Sequence, residues 1–159
     1  MQRINILYAD IFGDRIGGGQ RSLMDLARSL NRKRFNPIIV CPEAGKFIDL
    51  IRSYSITVEI VPMGTFKTIN FISWLSTFNK LTGLVKRFEI DLIHANGLRA
   101  AIYCGVMAKY FKIPLVWHVR VLESGGIAER IAYFFADKVI VNSEIVGKKF
   151  TGWKDVSKK

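Results

Sequence analysis

Three observations predict a three-layer α/β fold, a parallel sheet with helices on both faces. Short β-branched runs alternate six times with longer helical patterns along the chain. The first run, Ile4–Ala9, is apolar almost throughout and stops at Asp10, as a strand buried on both faces should. The length of 159 residues suits one domain with a sizeable core.

The elements follow in order. After Ile4–Ala9 a glycine-bearing loop runs to Gly19, and the spacing of Leu23, Leu26, Ala27 and Leu30 predicts a helix over about Gln20–Asn31. Pro37–Cys41 reads as the second strand, ended by Pro42. Lys46–Tyr54 is a short helix and Thr57–Val61 the third strand. Over Asn70–Phe88 a helical period runs through Phe71, Leu75, Phe78, Leu81, Val85 and Phe88. Asp91–His94 is the fourth strand, and Leu98–Phe111 a helix apolar nearly all round. Pro114–Val119 is the fifth strand, Gly126–Ala136 a helix and Lys138–Val141 the sixth strand. Ser143 is placed to cap a last helix over Glu144–Phe150. The segment 151–159 is a polar tail. The whole reads as a Rossmann-like sheet.

Composition narrows the partners. Half the residues are hydrophobic, which excludes disorder, and no apolar run is long enough for a membrane span. Cys41 and Cys104 both lie in apolar segments and supply neither a disulfide framework nor a four-ligand zinc site. A reducing, cytoplasmic location is expected, and a first strand at Ile4 leaves no room for a leader. With 24 Lys and Arg against 13 Asp and Glu, the formal charge is +11, which favours anionic partners. Nucleic acid is not expected among them: the basic residues are spread out, and no nucleic-acid-binding spacing is visible. Between Glu59 and Glu89 there is no acid, while Lys67, Lys80, Lys86 and Arg87 are present beside Phe71, Trp74 and Phe78. Such a basic, aromatic helix can lie on an anionic membrane surface, with Lys67, Trp74 and Lys80 as contacts to lipid or acceptor. The alternative is an ordinary amphipathic helix covering the sheet.

Open α/β sheets bind ligands beyond the carboxyl ends of their strands, so chemistry is sought in four loops. The first, Asp10–Gly19, carries Gly17, Gly18 and Gly19 into a helix start. There the backbone can approach an anion and offer it unpaired N–H groups. Gly17-x-Gly19-x-x-Ser22 also approximates a dinucleotide fingerprint, with Glu43 as its acid, but Gly17 lies far from the strand end. In the second loop Asn96 is placed to cap the following helix, Gly97 leaves the backbone open, and His94 reads as a core histidine. The third opens at His118, with Arg120 on the same side of the extended chain. A histidine and a cation there can orient a hydroxyl and meet a phosphate. The fourth contains Ser143. With only His94 and His118 present, no metal cluster is expected.

Taken in order, INILYADIFGDRIGGGQRSLMDLARSL, EIDLIHANG, IPLVWHVR and ADKVIVNSE resemble the N-terminal domain of the family 4 retaining glycosyltransferases, which have the GT-B fold. The resemblance covers about 3–150. It implies transfer of a sugar from a nucleotide-sugar donor to the hydroxyl of a lipid-linked or saccharide acceptor, with retention and with no metal or other cofactor. It implies that Gly17, Gly18 and Gly19 lie near the donor diphosphate and that His118 contacts the transferred sugar as the catalytic histidine. By the same likeness Asn96, Arg120 and Ser143 line the cleft. GT-B enzymes have a second domain that carries most donor contacts, and nothing here corresponds to it, Lys148, Lys149 and Lys154 being charged tail residues. The chain is therefore expected to be the acceptor-side domain, 1–150, with 151–159 leading toward a missing C-terminal domain and little activity alone. The alternative is a stand-alone Rossmann-like module that binds a nucleotide or another anion.

Overall fold

A computed structural model describes residues 2–65, 70–122 and 126–153. Six strands and their helices alternate as β1 (Ile4–Ala9), α1 (Gly18–Ser29), β2 (Phe35–Cys41), α2 (Lys46–Ser53), β3 (Thr57–Ile60), α3 (Phe71–Phe88), β4 (Leu92–Asn96), α4 (Leu98–Phe111), β5 (Leu115–Val119), α5 (Gly126–Phe135), β6 (Lys138–Val141) and α6 (Glu144–Gly147). A 3-10 turn, Lys148–Phe150, follows α6, so the predicted last helix is split in two. All strand pairs are parallel, and their order is β3-β2-β1-β4-β5-β6. The order reverses between β1 and β4. That reversal is the switch point, outside whose strand carboxyl ends open α/β sheets take their ligands.

Two ends differ from the predicted ones in ways that shape the cleft. Helix α1 starts at Gly18 because the Gln20 side-chain oxygen accepts from the Gly17 N–H at 3.1 Å and closes the first turn. Strand β4 runs past His94 to Asn96, since Ala95 pairs with Trp117 and Asn96 with His118. Asn96 is therefore not a helix cap: Gly97, at φ +109, holds that position for α4. Asn70 caps α3, its side chain accepting from Ser73 N–H at 2.8 Å.

The core lies on both sides of the sheet. One face carries Leu7, Ile38, Ile93, Leu115 and Trp117 against α3, α4 and α5. On the other, Ile6, Tyr8 and Ile39 pack under Leu23 and Ala27 of α1 and Phe47, Ile48 and Ile51 of α2. That second cover stops near β4. Strand β5 consequently alternates, with Leu115, Trp117 and Val119 buried and Val116 and His118 half-buried. Ile140 of β6, on the same side as His118, is 43% exposed. The uncovered part of this face is the floor of the cleft. Both cysteines are buried free thiols, as their apolar surroundings predict.

Candidate active-site cleft

The cleft is built from three strand ends and one helix start. Asp10 directly follows β1, Asn96 ends β4, His118 is the penultimate residue of β5 with Arg120 directly after the strand, and Gly17–Ser22 leads into and forms the first turn of α1. Even-numbered residues of β1, β4 and β5 share one side of the sheet, which lines Tyr8, His94 and His118 into a row. The Tyr8 and His94 rings are 5.2 Å apart, and those of His94 and His118 5.5 Å.

At the centre is a carboxylate that sequence reasoning passed over. Asp10 is fully buried. Its Oδ1 accepts from the N–H groups of Ile11 at 2.7 Å and Phe12 at 3.0 Å and from Gln20 Nε2 at 2.9 Å. Its Oδ2 accepts from Asn96 Nδ2, and Asn96 Oδ1 accepts from Arg120 Nε. A buried carboxylate is tolerated only when its lone pairs are satisfied in this way. Asp10 was visible as the polar residue that ends the first strand. Its partners were not, because Asn96 lies 86 residues away.

Arg120 draws the rest together. Its guanidinium donates to Ser22 Oγ and to His118 Nδ1, both at 3.2 Å. Arginine has no acceptor, so Nδ1 must carry the lone pair, and the neutral ring holds its proton on Nε2. Burial first, and then the Arg120 charge, lower the His118 pKa to about 4. His94 is lowered to about 4 by burial, with His118 and Arg120 adding to it. At neutral pH His118 is thus an uncharged hydrogen-bond donor through Nε2, poorly suited to act as an acid. Its cationic neighbour Arg120 is in turn held below the usual arginine value by burial.

The predicted residues divide into those the fold gathers and those it does not. Gly19 lies on Arg120, where an added Cβ would stand 3.3 Å from Arg120 Cδ and 3.8 Å from Asn96 Nδ2. Gly18 opens α1 with nothing within 4 Å of such a Cβ, and Gly17 is its cap. Gly17, Gly18, Gly19, Asn96, His118 and Arg120 therefore share one edge of the sheet. Ser143 is exposed and caps α6, accepting from Val146 N–H at 3.3 Å; its neighbour Asn142 reaches the cleft strand, donating to the Arg120 carbonyl at 3.2 Å. Lys149 is not a free tail charge. It is buried against Glu129 at 2.6 Å and donates to the Val121 carbonyl, which ties the 3-10 turn to the β5 exit. Glu43 is exposed, and its carbonyl packs on Gly13 at the far end of the glycine-bearing loop, where any Cβ would overlap it.

The basic aromatic helix is a separate surface. Trp74 is half-buried and stacks on Phe78 at 5.5 Å, on the face of the sheet opposite His118. Lys80 is exposed and borders a depression of about 320 Å³ with Glu59 and Arg87, which pair with each other. Strand β3 is four strand spacings from β5, roughly 19 Å. Lys67 and Lys154 lie outside the described residues. No metal-holding group of acids, histidines or cysteines occurs among the described residues, and no helix among them is long and apolar enough to cross a membrane.

Known proteins share this fold. The model of Glycosyltransferase Family 4 matches residues 16–159. The structure of Anabaena HepE in complex with UDP and glucose is 25% identical, with a TM-score of 0.75, over 94% of this chain and 41% of that one. Acinetobacter baumannii MurG is 15% identical at a TM-score of 0.69, over 88% of this chain and 41% of MurG. A putative UDP-N-acetylglucosamine 2-epimerase from Listeria monocytogenes is 13% identical at 0.73, covering 99% and 44% respectively. The last two likenesses concern the fold alone. A comparison with curated proteins gives no match. The chain spans about two fifths of the length of these solved structures. Six parallel strands, the reversal between β1 and β4, and the match over residues 16–159 place this chain in glycosyltransferase family 4, as an N-terminal domain of that family.

Proposed function

We propose that this chain is the acceptor-side half of a retaining glycosyltransferase that works on the cytoplasmic side with a nucleotide-sugar donor and a lipid-linked or saccharide acceptor. The observation that carries the reading is the meeting of Gly19, Asn96, His118 and Arg120 at one sheet edge. HepE, bound to UDP and glucose, supports a uridine nucleotide-sugar as donor.

In this reading the bond from the sugar's anomeric carbon to the nucleoside diphosphate breaks, and the acceptor oxygen bonds to that carbon on the same face. The α1 start at Gly18 and Gly19 and the Arg120 charge favour the departing diphosphate. His118 gives an uncharged Nε2–H hydrogen bond to a sugar oxygen. Ser143 borders the same cleft. Rate comes from positioning and from stabilising the leaving group, with no metal or other cofactor. A second domain, following the tail at 151–159, supplies most donor contacts, and the 159 residues alone transfer little.

His118→Ala in the complete encoded protein tests the reading. Sugar transfer, followed as UDP release, should fall by about a hundredfold or more, the usual size of a lost transition-state hydrogen bond. Unchanged transfer would overturn the role, and a product of inverted configuration would overturn retention.

A second surface is favoured by the exposure of Phe71 and Ile72, at 74% and 78%, in the first turn of α3. With Lys67, Trp74 and Lys80 this turn forms a contact for an anionic membrane. Vesicles rich in anionic lipid should retain the chain at low salt and release it at high salt. Equal retention by neutral vesicles would refute the charge contribution.

A further inference from the structure

We propose that Asp10 is a positioning residue of the cleft: through Asn96 it fixes the Arg120 guanidinium on His118 Nδ1 and so leaves Nε2–H as the ring's one free hydrogen-bonding group. Only the catalytic consequence rests on the transferase reading; the relay itself stands on geometry.

The amide of Asn96 has an anion on one side and a cation on the other. Its NH2 donates to Asp10 Oδ2, and its oxygen accepts from Arg120 Nε. Turned over, it would set oxygen against carboxylate and NH2 against guanidinium, so its orientation is determined by its neighbours. Oδ1 of Asp10 is already occupied by Ile11, Phe12 and Gln20, which leaves Oδ2 to hold Asn96. With Nε anchored, the far end of Arg120 is shared between Ser22 and His118. Gly19 allows the arginine stem to lie against α1, since a Cβ there would press on Arg120 Cδ at 3.3 Å. The groups around His118 are thus Arg120 on its own segment, His94 on β4, and Asp10 acting through Asn96. The relay joins β1, β4, β5 and α1 across the switch point.

Asp10→Asn is the direct test. An amide at this position keeps oxygen toward Ile11, Phe12 and Gln20 and turns NH2 toward Asn96. Asn96 must then flip and present NH2 to Arg120 Nε, two donors face to face, and Arg120 is released. In the isotope-labelled full chain, the Arg120 Nε–H signal should lose exchange protection about tenfold or more, as for a lost charge-assisted hydrogen bond. The His118 ring nitrogens should change from a single Nε2–H tautomer to a mixture. Adding Asn96→Asp to Asp10→Asn should restore both signals, because the amide now donates to a carboxylate that accepts from Arg120. An unchanged Arg120 signal in the folded single variant, or no restoration in the double variant, would overturn the proposal. If Asp10→Asn fails to fold, Asn96→Ala leaves Asp10 with its loop partners and should produce the same two losses; unchanged signals there would overturn it equally. If the relay breaks as described while sugar transfer by the complete protein is unaffected, the relay stands and the role assigned to His118 in transfer fails.

Discussion

Acidification from pH 7 to pH 4 should destabilise this protein through His94. The ring is 6% exposed, and its Nε2 has no hydrogen-bond partner among the described residues. Its pKa is lowered from 6.5 to about 4, first by burial and then by His118 and Arg120. A histidine held below its unfolded value takes up a proton on unfolding before it does so in the folded state. Its stabilising contribution is therefore complete above pH 6.5 and is lost as pH falls toward 4. From these two values the loss is about 2 kcal/mol by pH 5 and about 3 kcal/mol by pH 4. His118, also lowered to about 4, contributes in the same direction. Urea unfolding at half-unit pH intervals reads the effect. With a slope of about 2 kcal/mol per molar, the midpoint should drop about 1 M between pH 7 and pH 5. His94→Gln removes the titrating ring and leaves every carboxylate in place, so the difference between the two proteins isolates the histidine. Parallel midpoint curves for wild type and His94→Gln over that range would refute the argument.

Other outcomes follow from single contacts. Arg120→Met should raise the pKa of His118 above about 4, because the guanidinium contributes to its lowering; an unchanged titration of the His118 ring protons would show that burial alone sets it. Gly18→Ala meets nothing within 4 Å and should leave the unfolding free energy from urea titration within about 0.5 kcal/mol of wild type, while weakening use of a nucleotide-sugar by the complete protein. Gly105→Ala sets a Cβ 2.5 Å from the Phe135 ring and should cost about 1–3 kcal/mol in the same measurement. Cys41 and Cys104 are buried with their thiol pKa values pushed up by burial, so a maleimide should label them only as urea unfolds the chain.

The exposed turn of α3 shows where a sequence pattern points to a surface without fixing its members. The acid-free stretch marked the helix as basic and aromatic, and Trp74 was the natural residue to face a membrane. In the fold Trp74 is half-buried beside Phe78, and Phe71 and Ile72 are the more exposed. Periodicity gives the width of an apolar face, whereas the direction it turns depends on the sheet beneath. The same holds for Lys149, which looked like tail charge until the 3-10 turn folded it against Glu129.

What the sequence determined by itself was local. Apolar runs and helical periods located all six strands and their helices, because period and breaker residues act over a few positions. The four strand-end loops were legible too, since a parallel α/β sheet must bring them to one edge. Which strands become neighbours was decided by the tertiary structure. Asp10 and Asn96 meet because the chain crosses over after β3 and lays β4 beside β1. Arg120 reaches Asn96 from 24 residues further on and Ser22 from 98. No local pattern encodes such pairs, because a buried carboxylate can take its partners from any strand that packs next to it. The sequence thus showed where the cleft would open, and the packing of β1 against β4 supplied the charge relay that organises it.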